Sequence, residues 1–286
     1  MCRAHDPQEC TLFTPLSLAP VLAEPEGEQA GPHLPTVNDF FPPMIWGDFN
    51  SWWAFDRVML IRLIVAALLL LLLWLAVRRA KLVPGRGQSL VEMGLDFVRV
   101  QIAEQTLGKD RAKPYIGMLT VIFFSILAMN LAGIVPLLNL AGTSRMGLPM
   151  LLALWVFGAY LVAGVRAHGV GRYLKQQLVP AGVPLPILVL LTPIEFLQVF
   201  VIRPATLMLR LVANMMAGHI MLVLCFVATD FLLLYADSWA MRPIGVLTYA
   251  GAIFITVFEV FVAVLQAFIF TLLSSIYLNF ALEEGH

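Results

Sequence analysis

Five long apolar tracts run through this sequence of 286 residues, and they restrict the folds that it can adopt. The first tract has the length that a helix needs to cross a hydrocarbon core about 30 Å thick. Hydrophobic residues make up 60% of the chain and charged residues only 13%, which excludes a soluble domain of ordinary composition. The sequence therefore predicts an all-α polytopic membrane protein with about five membrane-crossing helices. The predicted spans are residues 58–77, 114–135, 147–165, 187–234 and 244–282.

The last two tracts are too long to be upright crossings. At 1.5 Å per residue, a helix of about forty residues reaches about 60 Å, which is twice the hydrocarbon thickness. Each helix must therefore tilt strongly, bend or break, and we expect the two to form a long, tilted hairpin. Small residues on both helices are expected to allow close packing. They are Ala213, Ala217, Gly218, Ala263 and Ala267.

Charged residues are unevenly distributed, and their pattern predicts the orientation. The N-terminal region is rich in Asp and Glu, whereas basic residues cluster after apolar tracts, as at Arg78 and Arg172. The positive-inside rule places such basic loops in the cytoplasm. We expect residues 1–50 to form an irregular acidic arm outside the membrane and residues 51–286 to form a single transmembrane domain with a cytoplasmic C-terminus. Residues 88–107 have apolar side chains at helical spacing between charges, which predicts an amphipathic helix on the membrane surface.

Arg210 lies in the fourth apolar tract, where a permanent charge is unfavourable. An arginine at the centre of a membrane helix costs about 2.5–3.5 kcal/mol, and its guanidinium cannot lose the proton. Such a residue usually faces a water-filled path or a charged partner. On a straight helix, Arg203, Arg210 and Asn214 lie on one stripe. Glu195 lies within about 80° of that stripe.

A second polar stripe lies on the last helix, where Glu259, Gln266 and Tyr277 share one face. His219 is nine positions beyond Arg210, so it points to the opposite side of its own helix. We therefore expect His219 to face Glu259. A histidine and a glutamate on facing membrane helices can pass protons between them.

Simpler interpretations exist for several of these residues. Glu195 and Arg203 are equally well explained as a structural ion pair near a helix end. Asn214 and Gln266 are explained as an interhelical hydrogen bond that stabilises packing. The sequence has no phosphate-binding loop, no zinc-protease helix and no hydrolase nucleophile elbow, and its three cysteines lack metal-site spacing. We therefore expect no catalytic site, no cofactor, no metal and no nucleic-acid partner.

The fourth tract resembles the signature helix of subunit a of the rotary F-type ATP synthase. The family pattern L-x-L-R-L-x-x-N-M-x-A-G is present at residues 207–218. The preceding PIEF, the NLAGIVP segment at residues 130–136, the VPGRGQ loop and the terminal LQAFIFTLLSSIYLNFALEE are also similar to the family. The resemblance covers roughly residues 40–284, and the first forty residues do not contribute to it.

The resemblance implies a stator subunit with two half-channels. These conduct protons to and from the carboxylates of a ring of c subunits, and so couple proton flow to ring rotation and ATP synthesis. Arg210 is implied to face the ring and to separate the half-channels, with Gln266 near it. Gly133 stands where some members have an acid, so that acid takes no part here. The implied ion-translocation residues are Arg210, Gln266, Glu259, His219, Glu195 and Asn214.

The resemblance also implies how His219 and Glu259 are arranged, because other members fill these two positions in the reverse order. The implied partners are the c-subunit ring, peripheral-stalk b-type subunits, the remainder of the F1Fo ATP synthase and the lipids of the cell inner membrane. The alternatives are a Na+-translocating version of the same subunit, an unrelated polytopic ion or substrate transporter, and a structural assembly subunit. The transporter is disfavoured because the sequence lacks internal repeats and paired Gly/Pro interruptions. The assembly subunit leaves Arg210 unexplained.

Overall fold

The computed structural model describes residues 44–46, 55–78, 85–135, 143, 146–178, 185–235 and 241–283. These ranges form a short β-hairpin followed by helices. In chain order the helices are α1 Arg57–Arg78, α2 Arg86–Asp96, α3 Gln105–Leu107, α4 Lys109–Ala112, α5 Ile116–Ile134, α6 Gly147–His168, α7 Val170–Leu178, α8 Leu185–Leu197, α9 Arg203–Asp230 and α10 Arg242–Leu282. Three π-helical segments continue neighbouring α-helices. They are π1 Phe97–Glu104, π2 Gln198–Ile202 and π3 Phe231–Tyr235.

A two-stranded hairpin precedes α1. Strand β1 (Met44–Trp46) pairs antiparallel with strand β2 (Phe55–Asp56). The sequence predicted an irregular arm through residue 50, so that prediction is wrong for β1. A strand of three residues is too short to show the alternation of apolar and polar residues that identifies strands in a sequence. The rest of the predicted arm, residues 1–43 and 47–50, lies outside the described residues.

Within the described residues, five helical stretches are long and apolar enough to cross a membrane, which confirms the predicted fold class. They are α1, α5, α6, the stretch from α8 through π3, and α10. Their outer surfaces expose large apolar side chains, such as Leu70 of α1 and Phe254 of α10. An apolar surface of this extent on long helices suits a lipid environment, because lipid tails cover it without the penalty that water imposes.

The predicted amphipathic helix is a continuous segment made of α2, π1 and α3. Its apolar side is covered in the second half, where Val98, Ile102 and Leu107 are buried against α5 and α10, whereas Leu90 and Met93 of α2 are exposed. The hydroxyl of Thr106 also hydrogen-bonds to the hydroxyl of Ser275 in α10. The amphipathic segment is thus attached to the side of the helical bundle as well as carrying a polar face.

Helix α10 is the central element of the bundle and packs against α5, α6 and α9. Helix α1 packs on the other side of α5 through Val58, Ile61 and Val65. The main core contains fully buried side chains from each of the four packed helices. They include Ile122 of α5, Val156 of α6, Leu211 of α9 and Phe270 of α10. This packing fixes the α9–α10 hairpin, which carries most of the predicted polar residues.

The two long tracts accommodate their excess length in different ways. Helix α10 is one uninterrupted α-helix of 41 residues, about 60 Å long. The fourth tract is helical throughout, but π2 interrupts it near its start, π3 ends it, and Pro193 lies inside α8. Thr229 donates a hydrogen bond of 3.1 Å to Thr248, which joins α9 to α10.

The small residues of the hairpin divide into two groups. Ala263 and Ala267 are buried, and Gly218 lies against a side chain of α10, as expected for close packing. Ala213 and Ala217 are exposed rather than buried in the hairpin, and Ala217 lines a cavity between α9 and α10. They lie three and seven positions after Arg210, which on an α-helix places them on the side of that arginine.

Candidate functional site

Arg210 lies on an exposed stripe of α9. Seven exposed residues of this helix fall within about 60° of its direction. This Arg210 stripe consists of Thr206, Arg210, Ala213, Asn214, Ala217, Met221 and Leu224. In the described ranges, ion pairs join Arg99 to Glu104 and Lys113 to Asp110, and none involves Arg210. The guanidinium therefore stands at the bundle surface without an acidic partner from the described part of the chain.

Asn214 connects the Arg210 stripe to α10. Its side-chain nitrogen Nδ2 donates a hydrogen bond of 2.7 Å to Oε1 of Gln266, which is only 3% exposed. The other end of the glutamine amide, Nε2, is buried and has no hydrogen-bond partner among the described residues. A buried N–H group without a partner costs about 1–3 kcal/mol. The amide is thus fixed at its oxygen and can donate to a water molecule or another group at its nitrogen.

Glu259 of α10 fits into a notch on α9. A Cβ atom placed on Gly218 would lie 2.6 Å from the carboxylate oxygen Oε1 of Glu259, so a larger residue would displace the carboxylate. That oxygen is buried and has no hydrogen-bond partner within the ranges that the structure describes. The absent side chain of Gly218 therefore provides the space in which the carboxylate lies.

A cavity of about 350 Å³ brings these groups together between α5, α9 and α10. Apolar side chains form most of its wall, and its polar lining residues are Asn130, Asn214, Glu259 and Gln266. Its volume is several times larger than the roughly 30 Å³ that one water molecule occupies in the liquid. The cavity thus combines the space and the polar groups that bound water requires.

Asn130 is a member of this site that the sequence analysis did not predict. It is 2% exposed, and its Oδ1 accepts a hydrogen bond of 2.8 Å from the hydroxyl of Thr143. The available signal was an amide at the end of an apolar tract, inside the NLAGIVP segment. That segment identified the family but gave no distance to α9 or α10, because periodicity within one helix does not reveal which helices are neighbours.

His219 follows Gly218 and is half-buried. Because α9 is continuous from Arg203 to Asp230, His219 points to the side opposite Arg210. Glu259 approaches α9 at Gly218, one position earlier, and His219 is not among the residues that line the cavity. Its pairing with Glu259 stays a prediction.

Glu195 lies on α8 and is separated from the other site residues by π2. A π turn contains more residues than an α turn, so the straight-helix projection that placed Glu195 near the stripe does not apply across it. Glu195 is half-buried and does not line the cavity. The ion pairs of the described residues also do not include Glu195 with Arg203, so that alternative is wrong.

Arg203 is surrounded by aromatic rings instead of an acid. Its guanidinium carbon lies 5.3 Å from the ring centre of Tyr277 and 5.9 Å from that of Phe280, both on α10. Nearby, the hydroxyl of Tyr160 in α6 donates a hydrogen bond of 2.9 Å to the carbonyl of Val199 in π2. Cation–π contacts partly compensate a desolvated guanidinium. Arg203 therefore has a structural environment that differs from that of Arg210.

Metal binding has no support in the described ranges, where no group of three His, Cys, Asp or Glu residues lies close enough together to hold an ion. The functional groups of the site are an exposed guanidinium, three amides and a carboxylate, and the amides and the carboxylate line the cavity. This arrangement suits the movement of small ions or protons between helices, because its charged and polar groups lie within an otherwise apolar hairpin.

Comparisons with known proteins agree on one family. The family model for the ATP synthase A chain matches residues 59–279. ATP synthase subunit a of Rhodococcus erythropolis is 42% identical over 254 residues, which cover 88% of this chain and 90% of the relative. The subunit a of a Parafrankia species is 38% identical over 89% of this chain and 85% of the relative. That of a Nocardioides species is 34% identical over 94% of this chain and 99% of the relative.

Proposed function

The chain belongs to the ATP synthase A chain family, and on that premise we propose that it forms two half-channels that carry protons to and from the carboxylates of a rotating c-subunit ring. Proton flow through the half-channels turns the ring and so drives ATP synthesis. Membership of this family removes the alternative of an unrelated transporter. The observation that carries the proposal is the exposed Arg210, which lies inside an apolar helix with no described acid beside it.

The partner of Arg210 is a carboxylate on the ring. A permanent cation in an apolar span needs a compensating charge or water. Since no described residue of this chain pairs with Arg210, a neighbouring subunit is the source. The small side chains of Ala213 and Ala217 flank the guanidinium and leave room for another helix to approach α9 closely.

The guanidinium has two roles in this mechanism. Its positive field favours the ionised form of a ring carboxylate, so a protonated carboxyl that reaches Arg210 releases its proton. Because the guanidinium keeps its own protons, it does not relay them between the half-channels. Protons can pass only by riding on the ring. The membrane potential supplies about 2.3 kcal/mol per charge for each 100 mV.

The cavity beside Gln266 forms part of one half-channel. Asn130, Asn214, Glu259 and Gln266 supply polar groups along it, and water in the cavity links them. His219 extends this path beyond the Gly218 notch. Glu195, on the other side of π2, belongs to the second half-channel, which opens toward the basic loops.

The remaining assignments follow from the same premise. The chain is a stator subunit with no catalytic site of its own, and it contacts b-type subunits of the peripheral stalk as well as the ring. Residues 51–286 form one transmembrane domain in the cell inner membrane. Its N-terminal arm, residues 1–50, is outside and its C-terminus is cytoplasmic, as the basic loops indicate.

The first test replaces Arg210 by Ala in the assembled complex. We expect Arg210→Ala to abolish ATP-driven proton pumping into inverted membrane vesicles, followed with a pH-sensitive dye, and to raise the passive proton leak. The control Arg111→Ala removes an exposed arginine from α4, away from the hairpin, and should keep normal pumping. Coupled pumping by assembled Arg210→Ala complexes would refute the proposal. If the unmodified complex pumps only when Na+ is present at fixed pH, the subunit translocates Na+ instead of protons.

A further inference from the structure

A second cavity lies on the outer side of α6, away from the proton path. It has a volume of about 480 Å³, and its lining runs along α6 from Leu154 to Arg166 and includes Tyr115, which directly precedes α5. We call it the α6 groove. We propose that the α6 groove binds an anionic phospholipid, with the lipid phosphate at Arg166 and an acyl chain lying along α6.

The shape of the α6 groove suits a chain-like apolar ligand. The part of its lining at Gly158 and Ala159 has small side chains, and a Cβ atom placed on Gly158 would meet nothing within 4 Å, so the space beside it is open. Trp155 and Val162 are exposed on either side of this part and provide an apolar wall. An acyl chain fills such a groove without leaving polar atoms unsatisfied.

The length of the α6 groove matches one leaflet of a bilayer. Trp155 and Arg166 are eleven residues apart, or about 16 Å along the helix, and half of a hydrocarbon core is about 15 Å. Arg166 lies in the last turn of α6, and Tyr115 lies at the start of α5, so both mark the same end of the bundle. The groove therefore extends from a membrane interface to the middle of the bilayer.

The charge at the interfacial end selects an anionic headgroup. Arg166 is exposed, and it forms no ion pair with any described residue. A guanidinium binds phosphate oxygens through two parallel hydrogen bonds. Basic pockets beside membrane helices on the cytoplasmic side favour anionic lipids.

A transmembrane helix from another subunit is the competing occupant. An apolar helix would fill the wall at Trp155 and Val162, but it would provide no anion for the Arg166 guanidinium at the interfacial end. A phospholipid provides the apolar chain and the anion in one molecule. The lipid therefore satisfies both the apolar wall and the Arg166 guanidinium, and we favour it over the helix.

The experiment uses the purified complex in nanodiscs of phosphatidylcholine that contain phosphatidylglycerol with a photoreactive group in its acyl chain. After illumination, labelled peptides are mapped by mass spectrometry. We expect labels on α6 between Trp155 and Val162. Arg166→Gln should raise the amount of phosphatidylglycerol needed for half-maximal labelling by about fivefold. Arg172→Gln, at a neighbouring arginine that does not line the groove, should leave it unchanged.

Gly158→Leu provides a second test that keeps Arg166 intact. Since the space beside Gly158 is open, the leucine fits the fold and occupies the groove, and labelling of α6 should fall several-fold. Three results would overturn the proposal. These are equal labelling by a phosphatidylcholine probe, labelling that Arg166→Gln does not change, and loss of a partner subunit from Gly158→Leu complexes with lipid labelling retained. Glycerol phosphate, added as a soluble competitor, should not reduce labelling.

Discussion

The hydrogen bond between Asn214 and Gln266 joins two helices through a pair of amides, one of which is almost fully buried. We expect Asn214→Ala to destabilise the chain by about 1–2 kcal/mol, because it leaves the buried Gln266 oxygen without its donor. A double-mutant cycle with Gln266→Leu should give a coupling energy of about 0.6–1.7 kcal/mol. Unfolding in mixed detergent micelles by added dodecyl sulfate measures both values.

Thr206→Ala is the matched control for this cycle. The Thr206 hydroxyl lies on the same stripe but donates to the carbonyl of Arg203 within its own helical turn. Its removal breaks no contact between helices, so its coupling with Gln266→Leu should be near zero. Additive effects of Asn214→Ala and Gln266→Leu would show that the amide pair contributes no interhelical energy.

Gly218 gives a second prediction at the scale of single residues. Gly218→Ala places a methyl group 2.6 Å from the Glu259 carboxylate and must push it aside. We expect proton conduction through the assembled complex to fall by about tenfold or more, as displacements of about 1 Å at functional groups can do. Gly251→Ala, on α10, meets nothing within 4 Å and should conduct normally. Both changes raise helix propensity equally. Equal rates of proton conduction in the two variants would therefore contradict a functional position of the Glu259 carboxylate.

At the scale of elements, π2 determines how the residues of α8 are oriented relative to the Arg210 face of α9. The Tyr160 hydroxyl holds this segment through the Val199 carbonyl. We expect Tyr160→Phe to destabilise the chain by about 1 kcal/mol. Tyr173→Phe is the control, because the Tyr173 hydroxyl is buried without a hydrogen-bond partner among the described residues and its loss should be neutral or stabilising. Unfolding midpoints of the two variants that shift equally would contradict the role of Tyr160.

Tyr173 shows that the sequence alone does not predict whether an aromatic residue near a helix end is exposed or buried. In the sequence it is most simply an interfacial aromatic residue, yet its side chain is 2% exposed and lies against Gly164. Burial raises the pKa of its phenol, opposed by the positive charge of Arg203. The phenol is therefore neutral in the ordinary pH range, and it is one more polar group of the bundle rather than an anchor in water.

The long apolar helices could be predicted from sequence because each depends on composition over many residues, and the described part of the chain contains five of them. The interruption at π2 could not, because no local residue pattern specifies a π turn and its carbonyl is stabilised by Tyr160 from another helix. The same limit applies to the site. Arg210, Asn214 and Gln266 are recognisable as polar residues in apolar tracts, whereas Asn130 enters the cavity only through the packing of α5.

At the scale of the whole molecule, the Arg210 stripe is the surface on which the proposed ring would pack. We expect a cysteine introduced by Ala217→Cys to form disulfide-linked products with a cysteine placed on the ring helix that faces it, because Ala217 is exposed beside the guanidinium. Ala267→Cys is the control, since Ala267 is fully buried inside the bundle. Gel electrophoresis of oxidised membranes separates the products. Cross-linking at neither position, in complexes that retain the ring, would contradict this docking surface.

The uninterrupted length of α10 has a consequence for where ions can enter and leave. A straight rod about 60 Å long, if kept within a film about 30 Å thick, would lie about 60° from the membrane normal and extend about 50 Å sideways. Its two ends would then reach opposite faces of the film at places far apart in the plane. For the proposed ring turning beside this helix, the entrance and the exit would lie at different points of the circumference, and this lateral offset would set the path of rotation.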